Sequence, residues 1–142
     1  MVVYSGTPLP RKLGISPDTS VLVVHPPNDL DLDALLVPWP TGARLVRRAL
    51  RATSFAVVLL FAESAADLRA RLPDAIDRID RDGAVWVAWP KKSSRRWRDG
   101  PRTVTEDIVR AQALALGVVD VKVCAIDETW SGLKLVYRLS DR

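Results

Sequence analysis

Two runs of the chain are apolar without interruption. FAVVLLFA (55–62) and AVWVAW (84–89) show neither the alternation of a half-exposed strand nor the three-to-four spacing of a helix. Short runs of this kind suit central parallel strands covered by helices on both faces. VLVV (21–24) is a shorter example, ended by His25 and a proline pair. Between the two long runs, Leu68, Leu72, Ile76 and Ile79 recur at helical spacing. Ser64 followed by Asp67 has the spacing of a capping box, so the helix starts there. Pro73 interrupts the pattern and predicts a kink or two successive short helices. Asp82-Gly83 reads as a turn, and Pro90 closes the second long strand.

KKSSRRWRDGP (91–101) reads as a polar, basic loop. Thr103 and Glu106 repeat the capping spacing, with Thr105 as an alternative N-cap, and the helix they open runs to about Leu116 and stops at Gly117. A strand is predicted over VDVKVCAID (119–127). After a turn containing Ser131-Gly132, LKLVYRL (133–139) alternates, with Leu133, Leu135, Tyr137 and Leu139 on one face and Lys134 and Arg138 on the other. That pattern predicts a strand near the sheet edge, antiparallel to its neighbour and open to pairing with a second copy.

The front of the chain is less regular. Residues 1–20 are rich in Pro, Gly and Ser and read as an arm packed on a single domain spanning 21–142; PLPRKLG (8–14) within them suits one helical turn ended by Gly14. The DLDALL segment around 30–35 suits a short helix, and VPWPTG (37–42) a turn. ARLVRRALRA (43–52) stays open. Its apolar positions 45, 46, 49 and 50 fit a helix, whereas a strand in its first half leaves about six residues before the next strand, short for a parallel crossover. The elements together predict an α/β fold: a three-layer, Rossmann-like, mostly parallel sheet with a C-terminal antiparallel hairpin.

Composition narrows the class. The 142 residues are 48% hydrophobic and 27% charged, ordinary for a globular domain. The longest apolar run has eight residues, far below the roughly 20 of a membrane-spanning helix, so no membrane association is expected. No basic flank precedes an apolar stretch at the N-terminus, so no secretion signal is expected. One cysteine, Cys124, excludes an internal disulfide and fits a reducing cytoplasm. Net charge is +4, with 16 Arg against 5 Lys; five of these cations fall in KKSSRRWR (91–98) and four more are Arg44, Arg47, Arg48 and Arg51.

In an open parallel sheet, ligands bind beyond the carboxyl ends of the strands. That rule selects four patches: His25 to Asn28, Glu63 with Ser64, Trp89 to Ser94, and Asp127 to Trp130. Lys91, Lys92, Ser93 and Ser94 leave a strand end and suit a phosphate or carboxylate, or else form a solvated loop. Asp127 and Glu128 suit an acid/base pair, a hydroxyl contact or ion pairs with Lys91 or Lys92; the alternative is a structural hairpin with Trp130 packed on its neighbour. His25 is a candidate base or a packed strand-end histidine, and with Cys124, Asp127 and Glu128 it shows no metal-ligand spacing. Trp86 and Trp89 face opposite sides of one strand, Trp86 toward the core and Trp89 as a candidate stacking platform. Asn28 and Glu63 complete the rim. The turn after the first strand carries His25, Pro26, Pro27 and Asn28 and no glycine, so it lacks the close-approach turn by which such sheets usually hold a nucleotide.

From residue 55 onward the order strand, helix, strand, helix, strand, tight turn, strand resembles the second half of a class I S-adenosylmethionine-dependent methyltransferase, in truncated form. SGTPLPRKLGI (5–15), VVLLF (57–61), WVAWPKKSS (86–94), TEDIVR (105–110) and VDVKVCAIDETWSGLKLV (119–136) also resemble a small bacterial family known only as a domain of unknown function. That resemblance implies a fold and supplies no reaction; RRWRDG (95–100) lies outside it. The functional expectation is a non-catalytic binding domain for an anionic ligand or acidic partner, with no cofactor predicted. Two alternatives remain: a divergent methyltransferase using S-adenosylmethionine, and a nucleic-acid binder using the basic 91–98 loop with Trp97 between arginines.

Overall fold

A computed structural model describes residues 6–48 and 53–142. In chain order the elements are α1 (Leu9–Lys12), β1 (Ser20–Val24), α2 (Leu32–Leu35), β2 (Arg44–Val46), β3 (Phe55–Phe61), α3 (Ala65–Asp77), β4 (Ile79–Pro90), α4 (Arg95–Asp99), α5 (Glu106–Ala115), β5 (Val118–Ala125) and β6 (Trp130–Tyr137). The strands form one six-stranded sheet in the order β2-β1-β3-β4-β6-β5. The first four of these are mutually parallel, and β6 is antiparallel to both β4 and β5. The fold is the α/β, mostly parallel sheet with a C-terminal antiparallel hairpin that the apolar pattern predicts.

Strand alternation splits the core in two. Val58, Leu60, Val85, Val87, Leu133 and Leu135 point to the face covered by α3 and α5 through Leu68, Leu72, Val109 and Ala113. Val57, Leu59, Phe61, Trp86 and Ala88 point to the other face. Short pieces cover that second face: Leu13 and Ile15 after α1, and Leu32 and Leu36 around α2. The Trp86 indole N–H donates to the Leu13 carbonyl at 2.9 Å, which ties residues 9–15 into the core. Both faces of the sheet are thereby covered over β3 and over residues 84–89 of β4, which is why those stretches are apolar at every position.

Several local expectations are corrected. Asp82-Gly83 is no turn but part of the twelve-residue β4, where the register with β3 shifts between Phe55 and Val57. A Cβ at Gly83 would stand 2.8 Å from the Ala56 carbonyl oxygen, so the glycine serves a close strand approach rather than a reversal. Pro73 does not split the helix; α3 is one element of 13 residues, held on both sides of the proline by buried Leu72, Ala75 and Ile76, with Pro73 itself on the exposed side. The open segment 43–52 is a strand over Arg44–Val46, and residues 49–52 lie outside the described ones. Residues 47–54 link β2 to β3, the parallel strand on the far side of β1. The last strand is not an edge. β6 begins at Trp130, ends at Tyr137 and lies between β4 and β5, so both its sides are paired; β5 is the edge and carries a bulge between Asp120 and Lys122. Leu139 falls past the strand and is 80% exposed.

Candidate functional site

The parallel strands β1, β3 and β4 end on one side of the sheet. Because Trp130 pairs with Pro90, the β5–β6 turn falls on that side too. All four sequence-selected patches therefore meet along one rim. The segment between them, 91–101, is not wholly a loop: it contains α4. The hydroxyl of Ser94 accepts from the Trp97 amide at 3.1 Å and donates to the Lys91 carbonyl at 2.6 Å, capping that short helix. Ser94 is therefore buried and occupied by the fold rather than free for a ligand.

The half of the rim over β1 and β3 is bridged by one side chain. Arg96 projects from α4, pairs with Glu63 after β3, and donates to Asp29 Oδ1 at 2.5 Å beyond β1. Its guanidinium carbon also lies 5.3 Å from the ring centroid of Trp130. Partial burial works against the Arg96 charge, but the hydrogen bond and charge of Glu63, with those of Asp29, outweigh it and leave the guanidinium above its ordinary pKa. The groove that remains, about 390 Å³, is lined by Asp29, Glu63, Arg95, Arg96, Asp99 and Thr129 among others. Trp130 is 2% exposed and packs edge-on against Phe61 at 5.1 Å, so its ring belongs to the core. Asp127 Oδ1 accepts from the Thr129 and Trp130 amides at 2.8 and 2.7 Å, so this carboxylate builds the hairpin turn. Neither Asp127 nor Glu128 forms an ion pair with Lys91 or Lys92 among the described residues.

The half over β4 is different. Lys91, Lys92, Thr105, Glu106, Asp107 and Ser131 line a groove of about 460 Å³ beside buried Trp89. Trp89 is 6% exposed and packs in the α3/α5 core, so it offers no open face for stacking. The acids of this groove are already occupied: Arg110 donates to Glu106 Oε2 at 2.6 Å, Asp107 Oδ1 at 3.0 Å and Asp120 Oδ2 at 3.1 Å. The hydrogen bonds to Glu106 and then Asp120 push the Arg110 pKa up. Lys91 and Lys92 are in no ion pair among the described residues. The Lys92 ammonium lies 5.9 Å from the Trp97 ring centroid, and Ser93 is exposed. Of the two candidate caps for α5, Thr105 is the N-cap, whereas the Thr103 hydroxyl accepts from the Ala65 amide at the start of α3.

The remaining candidates line neither groove. His25 sits at φ 58 at the end of β1, and its Nδ1 is 2.9 Å from Asp67 Oδ2, a carboxylate that also accepts from Arg71. Asn28 is exposed. Cys124 is buried, and burial raises its thiol pKa against smaller opposing effects of Lys12, Lys122 and Lys91. No group of three or more His, Cys, Asp or Glu is placed to hold a metal among the described residues. No described helix is long and apolar enough to cross a membrane. Arg96 and Asp29 were not legible as site residues, because their contacts span 33 and 67 positions.

Residues 11–139 match the profile of a family described as a protein of unknown function, DUF3052. The chain belongs to that family. No curated protein matches the sequence. The family's fold is nevertheless shared with solved methyltransferases. An S-adenosylmethionine-dependent methyltransferase from Aquifex aeolicus aligns at TM-score 0.61 and 12% identity, over 88% of this chain and 85% of that one. Magnesium protoporphyrin IX methyltransferase from Synechocystis PCC 6803, solved with S-adenosylmethionine, aligns at 0.58 and 7% identity, over 92% and 74%. Mitomycin 7-O-methyltransferase aligns at 0.63 and 9% identity, over 85% of this chain and 49% of that one. The chain spans 34% of the length of a neocarzinostatin-biosynthesis O-methyltransferase. At such identities the likeness shows a methyltransferase-like fold.

Proposed function

We propose that this DUF3052 domain is a non-catalytic binding module that takes an anionic group at Lys91 and Lys92. One observation carries the reading: these two lysines stand at the end of β4 in no ion pair among the described residues, while the nearby acids Glu106 and Asp107 are held by Arg110. An incoming phosphate or carboxylate meets two ammonium groups that form no ion pair among the described residues, with exposed Ser93 as an added donor. The bridged half of the rim supports the non-catalytic part. The turn after β1 has no glycine, Arg96 spans the crevice from Asp29 to Glu63, and exposed Arg47 and Arg48, not an acid, follow β2 where a ribose hydroxyl would need an acceptor. The lone Cys124 fits a cytoplasmic location.

The second reading, a divergent methyltransferase, is favoured by the fold alone: the Synechocystis and neocarzinostatin enzymes were solved with S-adenosylmethionine bound. Titration calorimetry separates the two. The binding reading expects heat from inorganic pyrophosphate or an acidic peptide that disappears in Lys91→Ala/Lys92→Ala, and none from S-adenosylmethionine at millimolar concentration. Saturable S-adenosylmethionine binding with no response to either anion would replace it with the enzyme reading.

A further inference from the structure

The whole positive excess of the chain lies in twelve residues. Positions 91–102 hold six basic residues and one acid, a net charge of +5; the remaining 15 basic and 16 acidic residues sum to −1. One of the six, Arg96, is turned inward onto Asp29 and Glu63. Lys91, Lys92, Arg95, Arg98 and Arg102 make no ion pair among the described residues. They are gathered by contacts to backbone oxygens and to an aromatic ring instead. Arg98 donates to the Ser93 carbonyl at 3.3 Å, Arg102 donates to the Arg98 carbonyl at 2.5 and 3.2 Å, and Lys92 lies over the Trp97 ring. Each guanidinium keeps further N–H groups for an outside acceptor. Trp97 is half-buried in the middle of this cluster, one of the few indoles of the protein not sealed in the core.

We infer that α4 and its flanking turns bind single-stranded nucleic acid, with Trp97 stacking a base and Lys92, Arg95, Arg98 and Arg102 holding the phosphates. This rests on the anion-binding reading of the same rim and names the partner. An indole set among cations is the arrangement that engages a base and its neighbouring phosphates together. An acidic peptide would use the cations and leave the ring idle. A duplex is disfavoured by size: α4 has five residues, about 7.5 Å, too short to follow a groove.

The test is fluorescence anisotropy of a labelled twelve-nucleotide oligothymidine, with unlabelled inorganic pyrophosphate and a poly-glutamate peptide as separate ligands. With four phosphates neutralised, affinity falls about 50-fold between 50 and 200 mM salt. Trp97→Leu is expected to weaken oligonucleotide binding about tenfold and to leave pyrophosphate binding unchanged. Arg95→Ala/Arg98→Ala, both exposed positions, is expected to weaken binding and flatten the salt dependence, which keeps the test valid should Trp97→Leu fold poorly. Pyrophosphate or peptide binding without oligonucleotide binding overturns the nucleic-acid assignment and leaves the anion-binding reading standing. Oligonucleotide affinity indifferent to Trp97 or to salt overturns the assignment as well. Absence of binding to all three ligands overturns both readings.

Discussion

The two halves of the rim use similar residues to opposite ends. Over β1 and β3, one arginine meets two carboxylates and an aromatic face, and Arg96, Asp29, Glu63 and Trp130 satisfy one another. Over β4, two lysines share a groove with carboxylates that a different arginine has already engaged, and Lys91 and Lys92 form no ion pair among the described residues. Arg96 thus bridges the strand ends of β1 and β3, while one strand away two lysines stand outside any ion pair among the described residues. A charged residue's role is set by whether its counter-charge is already committed, which composition does not report.

Four substitutions sharpen this contrast, in falling order of their effect on stability. Trp86→Ala removes a fully buried ring from the core under residues 9–15 and orphans the Leu13 carbonyl; a loss of about 3–5 kcal/mol is expected in urea unfolding. Arg96→Ala leaves Glu63 and Asp29 uncompensated, but their exposure of 41% and 73% lets water screen them, so about 1 kcal/mol is expected. The same variant should leave pyrophosphate binding intact; if binding is lost, the two halves are not separate. Ser94→Ala deletes the α4 cap and should cost about 1 kcal/mol while weakening pyrophosphate binding through a frayed 91–98 segment. Lys91→Ala/Lys92→Ala should shift stability by less than about 0.5 kcal/mol yet abolish pyrophosphate binding, a dissociation a structural role cannot mimic. Cys124 supplies a control. Its raised thiol pKa and burial predict slow alkylation by iodoacetamide near neutral pH in the folded protein, rising as pH increases, and fast alkylation in urea.

Much of the scaffold was legible because it is built from local rules. FAVVLLFA (55–62) is apolar at every position since both faces of β3 are covered, and the caps at Ser64 and Thr105 follow from side chain-to-backbone spacings of three. Errors arose where a local signal had a long-range cause. Asp82-Gly83 has turn chemistry, yet its glycine answers the Ala56 carbonyl on the neighbouring strand. The α4 helix escaped notice because its cap, Ser94, is followed at the third position by Trp97 rather than by Glu or Gln. The position of β6 inside the sheet is a matter of topology, and alternation alone marks only its two-sided environment. For the site, the rim positions follow from strand ends, but the division of labour along it does not. It depends on Arg96 reaching Asp29 across 67 positions and on Arg110 holding Glu106 and Asp107.

The most direct test is amide chemical-shift mapping of the ¹⁵N-labelled protein titrated with inorganic pyrophosphate. The account predicts shifts concentrated at Lys91 to Arg98, Thr105 to Asp107 and Ser131, with His25 to Asp29 and Glu63 unmoved. Shifts centred on His25 to Asp29 and Glu63 would contradict it, because they would show that the crevice spanned by Arg96 is the ligand site.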